Sequence, residues 1–175
     1  MQTVFEAFMA TASAAPAQSF LCVPAAPGRS YHPGGIELTY GAVRDEVLRT
    51  RRAYETAGYG HGHRVALLFE NRPEFFFHYL ALNALGASVV PVNPDYRHDE
   101  LAYQMDHSEA DLAVTISERV GSLEAVAGAR ARPLPVVDAG ALPASMARPG
   151  PAPRADAPDR STETALLYTS STTAR

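Results

Sequence analysis

Apolar residues recur along this chain with two periods, and the period changes at glycines, prolines and small polar clusters. Val4, Phe5, Phe8 and Met9 follow Thr3 at helical spacing until Ala14-Ala15-Pro16 ends the run. Ser19 to Val23 and Ile36 to Tyr40 are short β-prone runs around a segment rich in Pro, Gly and Ser, which predicts a small hairpin or two edge strands. Thr39 is placed to cap a long amphipathic helix. Its buried face would carry Val43, Val47, Leu48, Arg51, Tyr54 and Ala57, and Gly58 stops it.

His63 to Phe69 is then almost continuously apolar, the pattern of a strand buried on both faces of a parallel sheet. Pro73 to Leu85 is apolar nearly all round, which predicts a sandwiched helix, with Phe75, Phe76 and Phe77 in the core. Ala87 to Val92 reads as a strand, Asp99 to Ser108 as a helix and Asp111 to Ile116 as another strand. A further helix over Ser117 to Ala127 and a strand at Leu134 to Val137 follow. The β-α-β-α-β order implies an α/β fold, a parallel sheet flanked by helices, with right-handed crossovers. The strands at His63, Ala87 and Asp111 should lie adjacent and parallel.

Beyond Val137 the pattern dissolves. Residues 138–160 are rich in Pro and predict an exposed, extended connection; Thr164 to Tyr168 reads as a last strand. The expected division is an α/β subdomain over 1–137, a Pro-rich connection over 138–162, and a strand with its following loop over 163–175.

Composition narrows the function classes. The chain of 175 residues is 46% hydrophobic and 19% charged, as in ordinary globular domains. A net charge of -4 and the lack of any basic run exclude a broad nucleic-acid surface. All fifteen basic residues are Arg, so no lysine can serve as Schiff base or phosphate clamp. Cys22 is the single cysteine, which excludes an internal disulfide; it reads as a small buried hydrophobe in a reducing, cytoplasmic compartment. No apolar run reaches the roughly 20 residues of a membrane span, and no signal peptide is evident. His61, His63, His98 and His107 lack an accompanying carboxylate cluster and read as surface or cap histidines rather than metal ligands. Asp106 and Glu109 read as solvated acids at a helix end.

The last residues carry the candidate chemistry. A strand followed by small hydroxylated residues can wrap phosphates with its N–H groups and hydroxyls, or it can be a frayed tail. Leu166-Leu167-Tyr168-Thr169-Ser170-Ser171-Thr172-Thr173-Ala174-Arg175 resembles the phosphate loop of adenylate-forming (AMP-binding) enzymes, Tyr-Thr-Ser-Gly-Thr-Thr-Gly-x-Pro-Lys. The likeness continues upstream in order. It takes in Leu38-Thr39-Tyr40, Val65-Ala66-Leu67, Asn71-Arg72-Pro73-Glu74, Leu85-Gly86-Ala87, Val90-Pro91-Val92-Asn93-Pro94, Glu100-Leu101-Ala102-Tyr103 and Ser108-Glu109-Ala110.

The resemblance implies an incomplete subdomain of that family's large domain, here the amino-terminal part of an acyl-CoA synthetase. Such enzymes join a carboxylic acid to ATP, with Mg2+, and pass the acyl-adenylate to coenzyme A. Thr169, Ser170, Ser171, Thr172 and Thr173 would hold ATP phosphates, with Thr169 and Thr172 foremost as phosphate or magnesium contacts. Ser171 and Ala174 replace glycines of the pattern, and a Cβ at such positions costs on the order of 1 kcal/mol in backbone strain. The adenine and acyl pockets, and the Pro-Lys of the loop, would lie past Arg175. The isolated chain is therefore expected to be inactive and to self-associate through exposed apolar surface. Two other readings stay open: a non-catalytic binding module derived from such an enzyme, and an unrelated Rossmann-like protein. The last lacks a Gly-x-Gly-x-x-Gly after any strand.

Overall fold

In the computed structural model, residues 3–128, 130, 132–142 and 146–169 are described. The chain opens with α1 (Val4–Ala14), where Thr3 accepts from the Glu6 N–H at 3.2 Å and Glu6 accepts from the Thr3 N–H at 2.9 Å, a reciprocal cap. β1 (Ser19–Val23) and β2 (Ile36–Thr39) pair antiparallel. Tyr40 belongs to α2 (Tyr40–Ala57) rather than to β2, because the Thr39 hydroxyl accepts from Ala42 N–H and caps the helix there. Gly58 ends α2 in a left-handed conformation, φ 100°. Cys22 is exposed, a correction to its expected burial: the two-stranded ladder covers only one of its faces.

The main sheet contains β3 (Arg64–Leu68), β4 (Ser88–Pro91), β5 (Leu112–Thr115) and β6 (Val136–Asp138) in the order β4-β3-β5-β6, every pair parallel. The three expected strands are therefore neighbours, with β3 between the other two. Val65, Leu67 and Phe69 point to one face, with α1, α2 and α3 (Glu74–Ala84). Ala66 and Leu68 point to the other, with α4 (His98–His107) and α5 (Val120–Ala127). The helix changes face when the chain reverses direction across the sheet, as constant crossover handedness requires.

Three local expectations shift. A 3₁₀ turn at Ser117–Arg119 precedes α5, and β6 starts two residues later than predicted. The last strand shrinks to a single parallel bridge, Val89 to Ala165, closed by Val89 N–H to Thr164 O at 3.1 Å and Leu166 N–H to Val89 O at 2.9 Å. Within α3, the buried positions are His78, Leu80, Ala81, Leu82 and Asn83. Phe75 and Phe77 are half-buried, and Phe76 is 39% exposed, so the phenylalanine run is not core. It forms the rim where α3 begins, with Phe76 edge-on to Phe20 and Phe75 stacked on Tyr79. Among the described residues, no helix is long and apolar enough to cross a membrane.

One polar pair sits inside the apolar layer. The Tyr54 hydroxyl and His78 Nδ1 are 2.6 Å apart between α2 and α3. Burial raises the Tyr54 pKa, with a further push from Tyr59, so the phenol stays protonated. Burial, followed by the charge of Arg49, lowers His78 to about 3. The unfolded imidazole takes up a proton near its ordinary value of about 6.5 while the folded one does not. Stability from His78 should therefore be complete above that pH and fall as pH drops towards 3, by up to about 1.4 kcal/mol per unit. Denaturant melts from pH 7 to 4 should show this loss, and His78→Gln should flatten it.

Candidate functional site

The sheet's carboxyl edge is where the predicted phosphate segment emerges. Of its residues, Thr169 is described, and it is exposed; Ser170, Ser171, Thr172 and Thr173 lie outside the described residues. Thr169 and Tyr168 border a hollow of about 300 Å3 with Tyr96, Tyr103 and Gln104. The Tyr168 phenol lies 2.8 Å from His107 Nδ1, and the His107 ring stacks on Tyr103 at 5.3 Å. Burial, then the neighbouring Tyr103, holds the Tyr168 phenol above its ordinary pKa, so it stays protonated beside the imidazole. His107 thus anchors the residue immediately before Thr169, a role its place at a helix end does not disclose.

Two ladder bonds cannot fix this segment alone, and side chains supply the rest. Asn83 Nδ2 donates to Thr164 O at 3.1 Å, and Arg64 donates to Glu163 at 3.0 Å. Burial would raise the Glu163 pKa, but the Arg64 hydrogen bond, then the nearby Ser88 hydroxyl and the Arg64 charge, outweigh it and the net direction is down. The carboxylate is therefore ionised and paired.

The Pro-rich connection ahead of it is mostly exposed, as expected, but it is pinned rather than free. His61 and His63, expected at the surface, are 6% and 2% exposed. His63 Nδ1 accepts from Gly60 N–H at 2.9 Å, so its proton sits on Nε2 and is donated to the Gly150 carbonyl at 3.1 Å. His61 donates from Nδ1 to the Asp156 carbonyl at 2.9 Å, and its own carbonyl accepts from Arg154 N–H at 3.1 Å. The Thr162 hydroxyl lies 3.3 Å from His61 Nε2, and Tyr59 donates to Ala147 O at 3.1 Å. Gly62 and Gly86 make the fit possible. Both have left-handed φ, and a Cβ would come within 2.9 Å of Pro153 at the first and of the His61 ring at the second.

The remaining sequence candidates form no site among the described residues. No group of three or more His, Cys, Asp or Glu is placed to hold a metal. Asp106 and Glu109 are exposed, and each faces an arginine, Arg130 and Arg64 respectively.

Comparison with known proteins follows this geometry. The sequence model of a family described as AMP-binding enzyme matches residues 10–175. Crotonobetaine/carnitine–CoA ligase of Citrobacter koseri is 35% identical over 82 residues, which take in 47% of this chain and 16% of the relative. The ligase of the same name from Proteus mirabilis is 33% identical over 79 residues, 45% of this chain and 15% of the relative. The match thus spans about a sixth of the length of these relatives. Among solved structures, the N-terminal domain of FACL13 from Mycobacterium tuberculosis superposes with a TM-score of 0.75 at 20% identity, over 97% of this chain and 42% of that one. O-succinylbenzoate coenzyme A synthetase from Bacillus subtilis, in complex with AMP, gives 0.69 at 18% identity, over 99% and 40%. These likenesses show the fold.

If the two histidines hold the connection, replacing them should loosen the segment it leads to. His63→Ala should cost about 1–3 kcal/mol, the range for stranding a buried partner. It should also speed hydrogen exchange at Leu166 N–H, whereas His63→Gln, which keeps a donor, should restore part of the protection.

Proposed function

This chain belongs to the AMP-binding enzyme family, and from that premise we propose that its residues serve the ATP-dependent activation of a carboxylic acid, leading to an acyl-CoA. The observation that carries this reading is the family match over residues 10–175, together with a sequence resembling the phosphate loop that emerges at the carboxyl end of the parallel sheet. The ligases that share sequence with it are described as acting on crotonobetaine and carnitine; a small carboxylic acid is the corresponding substrate class here.

In this reading residues 1–137 are the α/β subdomain, 138–162 the pinned connection and 163–175 the phosphate segment. Thr169 presents its hydroxyl beyond the Tyr168 anchor, and Ser170, Ser171, Thr172 and Thr173 continue the grip on ATP phosphates. The group fits at the one described position, since Thr169 is exposed at the mouth of the hollow. Mg2+, when bound with ATP, neutralises phosphate charge, and coenzyme A is the acceptor thiol. Leu167, 71% exposed, and Tyr103, 61% exposed, supply apolar surface for self-association or for covering by further chain.

A second reading, a non-catalytic binding module, is favoured by one feature. Ser171 and Ala174 stand where the family pattern has glycine.

Both readings predict that these 175 residues alone do not form acyl-adenylate. Adenylation needs base, carboxylate and metal held together in attack geometry, and a misplacement of about 1 Å costs on the order of a hundredfold. Pyrophosphate release with a panel of acids should stay at background for this chain and for Ser171→Gly with Ala174→Gly. Activity should appear when that double variant is extended with a relative's remaining sequence. Acid-dependent release from either short chain would overturn this expectation.

A further inference from the structure

The Pro-rich connection crosses the amino end of the sheet as a strap, and side-chain donors hold it there. Residues 147–162 are largely exposed, and against the turn at 58–62 they meet glycines rather than large side chains. A Cβ on Gly58 would lie 3.8 Å from Pro149, and one on Gly60 3.5 Å from Ala152. Such contacts bury little apolar surface, so the hydrogen bonds decide whether the strap stays down. Its backbone carbonyls at Ala147, Gly150 and Asp156 accept from Tyr59, His63 and His61 respectively.

The two histidines respond differently to a second ring proton. At His63 both nitrogens face backbone groups that cannot exchange roles. The Gly60 N–H can only donate, so Nδ1 is bare; the Gly150 carbonyl can only accept, so Nε2 carries the proton. A proton on Nδ1 would set two N–H groups head to head around a residue 2% exposed. At His61 the Asp156 carbonyl fixes the proton on Nδ1, and Nε2 faces the Thr162 hydroxyl at 3.3 Å. That hydroxyl can accept as well as donate, and the Asp156 carboxylate lies 3.5 Å from Nδ1. His61 can therefore gain a proton and keep every partner, whereas His63 must give one up.

No neighbouring charge offsets this at His63. The histidine ion pairs among the described residues involve His32, His61 and His98. Tyr59 lies edge-on to the His63 ring at 5.6 Å, and burial, then the charge of Asp111, pushes its phenol up to about 12, so it is neutral. Asp111 itself accepts from Arg64 N–H at 3.0 Å and from Arg132 at 2.6 Å. On the strap, Arg148 is exposed and Arg154 faces Asp156 at 3.5 Å; the Arg64 guanidinium is turned to Glu163 and Glu109.

We propose that His63 makes the strap an acid-released latch: a proton on its Nδ1 detaches residues 147–156 from the turn and slackens the chain leading to the segment that carries Thr169. An imidazole freed from these bonds takes up its second proton in the ordinary histidine range, around pH 6.5. The released state, which binds the extra proton, therefore gains up to about tenfold per pH unit below that point, and the latch is closed above it. This device is a property of the fold and does not depend on nucleotide binding.

The test is histidine ¹⁵N NMR together with amide hydrogen exchange on the 175-residue chain, followed from about pH 8 to pH 5. At the alkaline end His63 should show a bare Nδ1 and a protonated Nε2. Two amides report the latch, Gly60 N–H, which donates to His63, and Arg154 N–H, which donates to the His61 carbonyl. Their protection factors, in which the chemical exchange rate is divided out, should fall together by up to about tenfold per unit below pH 6.5. At every pH both should exchange faster than the amides of β3, which marks release short of unfolding. His63→Gln should abolish the fall at Arg154, and His61→Gln should leave the fall at Gly60 in place. The proposal is overturned if Nδ1 of His63 carries the proton at pH 8, if both protection factors stay constant, or if both amides exchange in step with β3. It is equally overturned if the fall persists in His63→Gln or disappears in His61→Gln. The first three outcomes come from the unmodified chain and decide the matter whether or not the variants fold.

Discussion

Burial of β3 on both faces and along both edges is the constraint from which the rest of the architecture follows. Val65, Leu67 and Phe69 enter one apolar layer and Ala66 and Leu68 the other, while β4 and β5 take up the strand's hydrogen bonds on either side. A strand so enclosed has no freedom of register, because a one-residue slip would exchange its two faces and put differently sized side chains into both layers. Its ends inherit that rigidity. At the amino end the His61-Gly62-His63 turn becomes a fixed surface against which another segment can be held. At the carboxyl end, Glu70 and Asn71 adopt consecutive left-handed conformations, φ 51° and 61°, that turn the chain out of the sheet and into α3.

Sequence pattern was most informative where a residue's environment depends on its near neighbours. The continuous apolar run at 63–69 announced a doubly covered strand, Thr39 and Gly58 marked the ends of α2, and the alternation of strand and helix periods implied a parallel sheet. It was least informative where burial depends on remote chain. Phe75, Phe76 and Phe77 look like core by composition, yet the start of α3 lies at the sheet's rim, so their hydrophobicity makes a partly open border. Cys22 misled for a related reason, since a two-stranded ladder has one uncovered face.

The histidines illustrate the same limit from the other side. The bonds that bury His61 and His63 reach residues 87 to 101 positions away. No periodicity can report a partner at that distance, and proline richness in the partner argued for exposure. Two glycines gave the available signal. Gly62 and Gly86 are needed because Pro153 and the His61 ring sit against them, but a glycine's presence does not say what approaches it. For the candidate site, motif likeness identified the segment at Thr169, whereas its anchors at His107, Asn83 and Arg64 became visible only in three dimensions.

Those anchors bear on how a phosphate grip could be built at a sheet edge. A strand held by a full ladder is positioned by its backbone, and its side chains can vary freely. The segment at 164–168 has one bridge, so its position rests on groups whose identity matters: the Arg64 guanidinium, the Asn83 amide, the His107 imidazole and the clamp upstream. Ordering each residue of a segment costs roughly 1–2 kcal/mol of backbone entropy. Two backbone bonds, each contributing about 1 kcal/mol net, do not offset that over five residues. The side-chain anchors and the pinned connection must supply the difference, and they do so at the two ends, by Arg64 and Asn83 where the segment begins and by His107 where it delivers Thr169. Precision at Thr169 is therefore a property of side chains contributed by β3, α3 and α4 together, and a change in any of the three elements is transmitted to it.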